Sequence, residues 1–442
     1  MKNTELTLFW FRRDLRLDDN TALFHALNEN KNVLPVFIFD KEILSKLNPQ
    51  DQRIQFIHDQ LCKIKNDLNA LGSDIFITHD YTLDFFKKII SEYKIKSIYT
   101  NHDYEAYGRT RDQSIEKLCF EKNILFKTYK DHVVFEKSEI QSDTYKPYTV
   151  YTPYKKKWLS LVTADDLKSF DCKKLYSNFL MTADLDNQTS DYGLPTLGEM
   201  NFHYIESSYP PLKLTKTILQ KYADLRDFPY ELEGTSKLGV HLRFGTTSIR
   251  YLASIAKLNS DVWLSELIWR DFFNQVLWHN PDSEHKSFKI IYENINWSSN
   301  ADDLLHWKNG TTGYPLVDAG MRELNATGHM HNRVRMVTAS FLTKHLLQHW
   351  KTGERYFAEK LYDYDLSANV GNWQWAAGTG CDAAPYFRIF NPTAQQERFD
   401  PQFEYIKKWI PEFGTSAYPK PIVDHVFARE RCLTEYKKGL GK

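Results

Sequence analysis

Residues Leu6–Phe11, LTLFWF, form a short apolar run, and four more of the same kind follow it: NVLPVFIF (Asn32–Phe39), DIFITH (Asp74–His79), SIYT (Ser97–Thr100) and ILFKTY (Ile124–Tyr129). Runs this short and this rich in Val, Ile and Phe are strand signals. Helical patterns separate them, of which QRIQFIHDQLCKIKNDLNAL (Gln52–Leu71) is the plainest. Strand and helix in alternation build a doubly wound parallel sheet. The fold class expected of residues 1–134 is therefore α/β, a Rossmann-like domain with a five-stranded sheet. It contains no GxGxxG, so the sequence gives no support for a dinucleotide clamp in this half.

From Phe135 to Lys213 the periodicity weakens into polar, Tyr- and Pro-containing sequence, including SDTYKPYTVYTPYKKKW and TADLDNQTSDYG, which reads as an interdomain connection over 135–213. Beyond Leu214 strand signals almost vanish. Amphipathic stretches follow at Thr215–Leu225, Ser248–Ala256, Val262–His279, Pro315–Thr327, Asn332–Trp350 and Gly353–Leu361, so an all-helical domain is expected over 214–442.

Two domains also suit a length of 442 residues. Formal net charge is zero, with 57 basic and 57 acidic side chains, so any polyanion site must be a local basic patch. Aromatic residues reach 15%, which points to unusual aromatic packing or to a site that stacks flat rings. The five cysteines have no ligand-like spacing, so no metal site is expected and a reducing compartment, the cytoplasm, is. No secretory leader pattern and no membrane-spanning run are present, and no membrane partner is expected.

The helical half holds the residues with chemical content. In WLSELIWRDFFNQVLWH, Glu266, Trp269, Arg270 and Phe273 share one helix face. That face is either a solvated ion pair or a pocket wall offering an indole beside a carboxylate. In HMHNRVRMVTASFLTKHLLQHW, Asn332, Arg335, Met336 and Ala339 align with Arg333 beside them, as solvated charges or as phosphate ligands. In YDYDLSANVGNWQWAAGTG, Asp365, Asn369 and Trp373 line up in a helix, while Gly371 and Gly378 cost helix stability and imply that something approaches the backbone closely. Upstream, EGTSKLGVHLRFGTTSIR supplies Thr235 and Ser236, a helix cap or a diphosphate cradle. Acids and an amide for the edge of a heterocycle, hydroxyls for a diphosphate and indoles nearby point to a flavin nucleotide.

These motifs, with LFWFRRDLRLDDNTAL near the start and KNGTTGYPLVDAGMRELNATGHMHNRVRM and GNWQWAAGTGCDAAPYFRIFNPTAQ later, resemble the DNA photolyase/cryptochrome family over essentially the whole chain, specifically its class I cyclobutane pyrimidine dimer type. The resemblance implies light-dependent dimer repair by electron transfer from photoexcited, reduced FAD to a dimer flipped out of the DNA. It implies noncovalent FAD held by Tyr222, Thr235, Ser236, Lys237, Leu238, Gly239, Arg335, Asp363, Asp365 and Asn369, with Arg335 paired to Asp363 and Asn369 facing the flavin N5. Glu266, Trp269, Asn332, Met336 and Trp375 would meet the lesion. Arg226, Arg270, Arg333 and Gln395 would join them in contacting UV-damaged DNA, single- or double-stranded and without sequence preference. Trp373, Trp350 and Trp297 would relay electrons, innermost to outermost. A monomer is expected.

Two positions depart from the family pattern: Gly239 stands where a serine is common, and Val370 where a polar residue is common in dimer-repairing members. A third departure concerns a second, antenna chromophore. Folate-binding members carry an Asn-Glu pair where this chain has Tyr107 and Gly108, which weakens the folate case; a deazaflavin, a flavin, a folate held otherwise or no second chromophore stay open, with the carboxyl ends of the strands as the natural location. The related (6-4) enzymes place two histidines at the positions of Asn332 and Met336, so (6-4) repair is not expected. The rival reading is a cryptochrome-type light sensor without repair; the matched lesion-pocket positions favour repair.

Overall fold

The computed structural model describes residues 5–184, 192–206 and 209–441. All five expected strands form: β1 (Glu5–Phe11), β2 (Val33–Asp40), β3 (Phe76–Asp80), β4 (Lys94–Asn101) and β5 (Leu125–Tyr129). They pair in parallel in the order β3-β2-β1-β4-β5, so the winding reverses between β1 and β4. Every residue of β2 and all but the first of β1 are buried, which is why these strands read as unbroken apolar runs rather than alternating ones. Pro35 is tolerated inside β2 because the ladder to β3 begins only at Val36.

The crossovers are α1 (Thr21–Glu29), α2 (Lys41–Leu44) with α3 (Gln52–Ala70), α4 (Thr82–Glu92) and α5 (Ala106–Glu121). Asn20 caps α1 by accepting from the Leu23 N–H at 3.2 Å, and its own amide donates to Asp14 at the end of β1. Turn chemistry thus ties the end of β1 to α1.

The chain divides into two compact units, one of residues 1–136, 161–212 and 238–255, the other of 137–160, 213–237 and 256–442. This corrects the expected 135–213 connection. Residues 137–160 belong to the helical unit and 161–212 to the α/β unit, while the acidic TADLDNQTSDYG stretch lies mostly outside the described residues. A helix, α6 (Tyr151–Leu161), lies inside the supposed connection, with Tyr151, Tyr154 and Trp158 buried at helical spacing. Its Trp158 Nε1 donates to Asp271 at 3.0 Å.

Of the next helices, α7 (Lys216–Leu225) is in the helical unit, while α8 (Gly239–Phe244) and most of α9 (Ile249–Asn259) fall in the α/β unit, which corrects the all-helical domain expected over 214–442. The helical unit continues with α10 (Asp261–His279), α11 (Ala301–Asn309), α12 (Pro315–Thr327), α13 (Asn332–Ser340), α14 (Trp350–Lys360), α15 (Leu366–Ala377), α16 (Pro392–Phe399), α17 (Glu404–Trp409) and α18 (His425–Gly439). Asn332–Trp350, expected as one helix, is two. A π-helical turn over Phe341–His345 follows α13, Leu347 takes a φ of +53°, and α14 starts afresh at Trp350.

Glycines set how closely these helices pack. A Cβ on Gly371 would run into the Phe273 ring of α10, and a Cβ on Gly353 into the six-membered ring of Trp373. Gly371 therefore serves helix packing, and Gly378, at φ +81°, ends α15 as its left-handed cap. The approach to the backbone inferred from the sequence is made by the protein's own rings.

Candidate functional site

Helices α13 and α15 and the loop before α15 enclose a pocket lined by Asn332, Arg335, Met336, Asp363, Asp365, Asn369, Trp373 and Trp375, among others. Its enclosed volume is about 110 Å³, the footing for one edge of a ring system rather than for a whole dinucleotide. A larger groove of about 950 Å³ lies in the α/β unit beside Phe56, Tyr176 and Tyr209, but it gathers charges of both signs, with Arg16, Lys63 and Lys173 set against Asp18, Asp59 and Asp67. Convergent polar chemistry, not size, marks the smaller one.

Arg335 donates from Nη2 to Asp363 Oδ2 at 2.9 Å and from Nε to the Met330 carbonyl at 2.7 Å. Burial works to lower the Arg335 pKa, and the Asp363 carboxylate more than offsets it, so the guanidinium stays charged. The pair uses only one oxygen of Asp363. Oδ1 is buried without a partner among the described residues, and a buried carboxylate oxygen in that state calls for a donor.

Asp365 is the N-cap of α15, accepting from Ser367 Oγ at 2.6 Å and from the Ala368 N–H at 3.4 Å. One turn on, Asn369 donates from Nδ2 to the carbonyl and the carboxylate of Glu354, both at 3.0 Å. With its N–H groups so engaged, Asn369 has its carbonyl oxygen left to accept from an occupant of the pocket. Glu354 is 2% exposed and is held by Lys351 Nζ at 2.9 Å. Glu354 has no local sign in the sequence, because its burial comes from the packing of α14 on α15.

Tyr222, Thr235, Ser236, Lys237, Leu238 and Gly239 do not line this pocket. Tyr222 is buried on α7 under the Arg226 guanidinium, Ser236 Oγ accepts from Trp263 Nε1 at 3.3 Å, Lys237 adopts φ +52°, and Leu238 and Gly239 fall in the other unit. The departure at Val370 has a structural account: its side chain is buried in the core of the helical unit.

On α10, Glu266 accepts from Arg226 at 2.5 Å, and Trp269 stacks on Tyr151 with centroids 3.6 Å apart and planes 7° off parallel. Asp227 joins the pairs, 4.0 Å from Arg226 and 2.8 Å from Arg333, whose guanidinium lies over Phe399 and whose Nη1 meets the Met336 sulfur at 3.7 Å. Arg270 sits half-buried on the same helix, and Gln395 on α16 keeps a buried Oε1 without a partner among the described residues. Tyr151 and Asp227 were missed as well; Tyr151 lay in the stretch read as a connection.

The three tryptophans lie around α14. Trp350 begins it, Gly353 one turn on receives the Trp373 ring, and Trp297 and Trp350 each neighbour the His349 ring.

Residues 263–416 match the family model described as FAD binding domain of DNA photolyase, and residues 7–172 match the DNA photolyase model. A deoxyribodipyrimidine photo-lyase of Escherichia coli is 35% identical over 97% of this chain and 98% of its own length. The chain belongs to the DNA photolyase family. Among solved photolyases, a class III enzyme from Agrobacterium tumefaciens superposes with a TM-score of 0.85 at 29% identity, over 100% of this chain and 98% of its own. An archaeal photolyase from Sulfolobus tokodaii, solved with two FAD molecules, gives 0.84 at 34% identity, over 98% of this chain and 100% of its own. The unpartnered Asp363 oxygen and the open Asn369 carbonyl fit the polar edge of a flavin.

The α/β unit is less receptive at its switch point, the expected antenna location. The cavity lined by Arg12, Arg13, Asp14, Asn101, Asp103 and their neighbours measures about 10 Å³, room for one water at most. Ion pairs fill the space: Arg12 with Asp112 at 2.5 Å, Arg13 with Glu105 at 2.6 Å, and Arg111 with Asp103 at 3.5 Å. Burial works to raise the Asp103 pKa, but the surrounding arginines hold it well below the usual carboxylate range. Tyr107 donates to the buried Asp40 at 2.6 Å. A second chromophore at this point of the photolyase fold would have to open those pairs.

Proposed function

We propose that this chain splits cyclobutane pyrimidine dimers in DNA under light, with FAD against Arg335, Asp363, Asp365 and Asn369 and the lesion against Glu266, Trp269, Asn332, Met336 and Trp375. The observation that carries the site assignment is the buried Asp363 oxygen without a partner, facing the same pocket as an asparagine amide fixed from behind. FAD, when bound, supplies the light-excited electron and takes it back. The side chains bind and orient.

Arg335 holds one oxygen of Asp363, which presents the other to a donor. Glu354, locked by Lys351, keeps the Asn369 carbonyl turned inward. Arg226 fixes one oxygen of Glu266, leaving the second to accept from a pyrimidine N–H, and Tyr151 sets the plane of the Trp269 indole. Arg226, Arg270, Arg333 and Gln395 meet phosphates, which carry no base sequence, so single- and double-stranded DNA serve alike. The five unpaired cysteines suit a reducing compartment, and a cytoplasmic monomer is the form proposed.

The test is illumination of the purified protein, its FAD chemically reduced, with an oligonucleotide carrying one cyclobutane dimer. Restoration of the two pyrimidines in light and none in the dark is expected. Failure in light with fully reduced FAD would move the chain to the light-sensor reading.

Asn369→Ala tests the cofactor placement. Loss of one neutral acceptor, about 1 kcal/mol, moves a one-electron flavin potential by roughly 40–60 mV. Spectroelectrochemistry of the FAD-loaded variant should show that shift with FAD still bound. An unmoved potential would remove Asn369 from the flavin edge.

A further inference from the structure

The imidazole of His349 stands beside both outer tryptophans. Its centroid lies 5.6 Å from that of Trp350 and 5.3 Å from that of Trp297. It is also the N-cap of α14: Nδ1 accepts from the Lys351 N–H at 3.0 Å, so the neutral ring carries its proton on Nε2. The indole nitrogens of Trp350 and Trp297 are both buried with no acceptor among the described residues. An indole oxidised there has no neighbour to take its proton, so the positive charge stays on the ring.

We infer that His349 is a positioning residue of the tryptophan relay, whose neutral ring lets positive charge move outward from Trp373 and whose imidazolium holds it back. This rests on the relay assignment of Trp373, Trp350 and Trp297. The electron balance is simple. Trp373, having given an electron toward the flavin, takes one from Trp350, which takes one from Trp297; each inner ring is restored, Trp297 is left as the radical cation, no proton moves, and an added thiol refills Trp297. An imidazolium about 5.5 Å from either outer ring disfavours positive charge there by about a hundredfold at an effective dielectric constant of 20. Trp373, farther along the relay, feels less of it, so charge is returned inward and recombines.

The surroundings fix the direction of the pH effect. Burial pushes the His349 pKa below its ordinary value; Glu293 opposes that, and Arg355 and Lys351 add to it. The ring is therefore neutral at pH 7 and gains its proton only below about pH 6.5. On the far side of Trp297 stands Tyr436 of α18, with the Lys344 ammonium 3.9 Å from its ring centroid. Burial lowers Lys344 to about 8, so it keeps its charge throughout the acidic window and contributes no change there.

The experiment is transient absorption and steady photoreduction of the FAD-loaded protein with a thiol reductant between pH 7.5 and 5. In parallel, NMR of protein carrying labelled histidine gives the His349 midpoint, with the resonance identified by its loss in His349→Asn. In the parent, the outer tryptophan radical and the photoreduction rate should fall in step with protonation of the imidazole, by about tenfold once about nine-tenths of it is protonated, with the same midpoint as the NMR titration. His349→Asn, which keeps a capping acceptor, and His349→Phe, which keeps a ring, should both flatten the profile. A flat parent profile, or variants that retain the parent's pH dependence, would overturn the inference. Trp350→Phe separates the two readings: if it photoreduces at the parent rate the relay assignment itself is wrong, and if it is inactive while His349→Asn titrates like the parent, only the role of His349 fails.

Discussion

Trp350→Phe is expected to slow light-driven reduction of bound FAD by at least about a hundredfold, while repair by chemically prereduced enzyme continues. Trp350 is fully buried at the start of α14, one turn from the glycine against which Trp373 packs, and it shares His349 as a neighbour with Trp297. A benzene ring is much harder to oxidise than an indole, and 2.7 kcal/mol added to the barrier already gives a hundredfold. The substitution keeps an aromatic ring in the core, so its structural cost should stay below the roughly 3–5 kcal/mol of truncation to alanine. Photoreduction kinetics and dimer repair measured on one preparation separate the effects, since chemically prereduced enzyme would not draw on the proposed relay. Photoreduction at the parent rate would mean that the assigned chain is wrong or bypassed.

The central strands β1 and β2 were legible because they are buried on both faces and so read as unbroken apolar runs, and Pro315–Thr327 was legible to the residue because proline opens it and a left-handed glycine closes it. The break between α13 and α14 was not. A π turn and a left-handed leucine carry no glycine or proline to announce them, and the hydrophobic pattern runs through without interruption. The stretch at 135–213 was misread for a different reason. Tyr151, Tyr154 and Trp158 do show a helical spacing, but Pro153 and the lysines at 155–157 between them hid it.

The site followed the same division. Residues that face the pocket from α13 and α15 were found, and the ones that hold them in place were not. Glu354 and Tyr151 act through contacts made across 15 and more than 100 positions of sequence respectively, and only the fold brings those partners together.

Glu266→Ala is expected to lower dimer repair about ten- to a hundredfold with FAD still bound, and neither parent nor variant should repair a (6-4) photoproduct. The magnitude follows from one charge-assisted hydrogen bond to the substrate, about 1.5–3 kcal/mol, lost from a carboxylate that does not line the pocket holding Asn369. The lesion preference follows from proton supply. A (6-4) lesion needs a proton donor to move a hydroxyl between the bases, and the side chains offered here are an amide, Asn332, and a thioether, Met336, neither an acid near neutral pH. The nearest imidazole in sequence, His331, is committed elsewhere. It caps α13 through Nδ1, is 5% exposed, and is pushed down to about pKa 4 by burial, with Glu323 partly opposing the shift. At pH 7 it is neutral, and it takes up a proton only as the pH falls toward 4. Acidification should therefore not rescue (6-4) repair while the fold persists; from about pH 6.5 downward it should instead weaken the helical unit, because the unfolded chain accepts the His331 proton first. Separate oligonucleotides carrying one dimer or one (6-4) lesion, illuminated with prereduced protein between pH 6 and 8, check both expectations. Efficient (6-4) repair would show that a proton donor other than these residues reaches the lesion, and full dimer repair by Glu266→Ala would show that the carboxylate held by Arg226 does not touch the substrate.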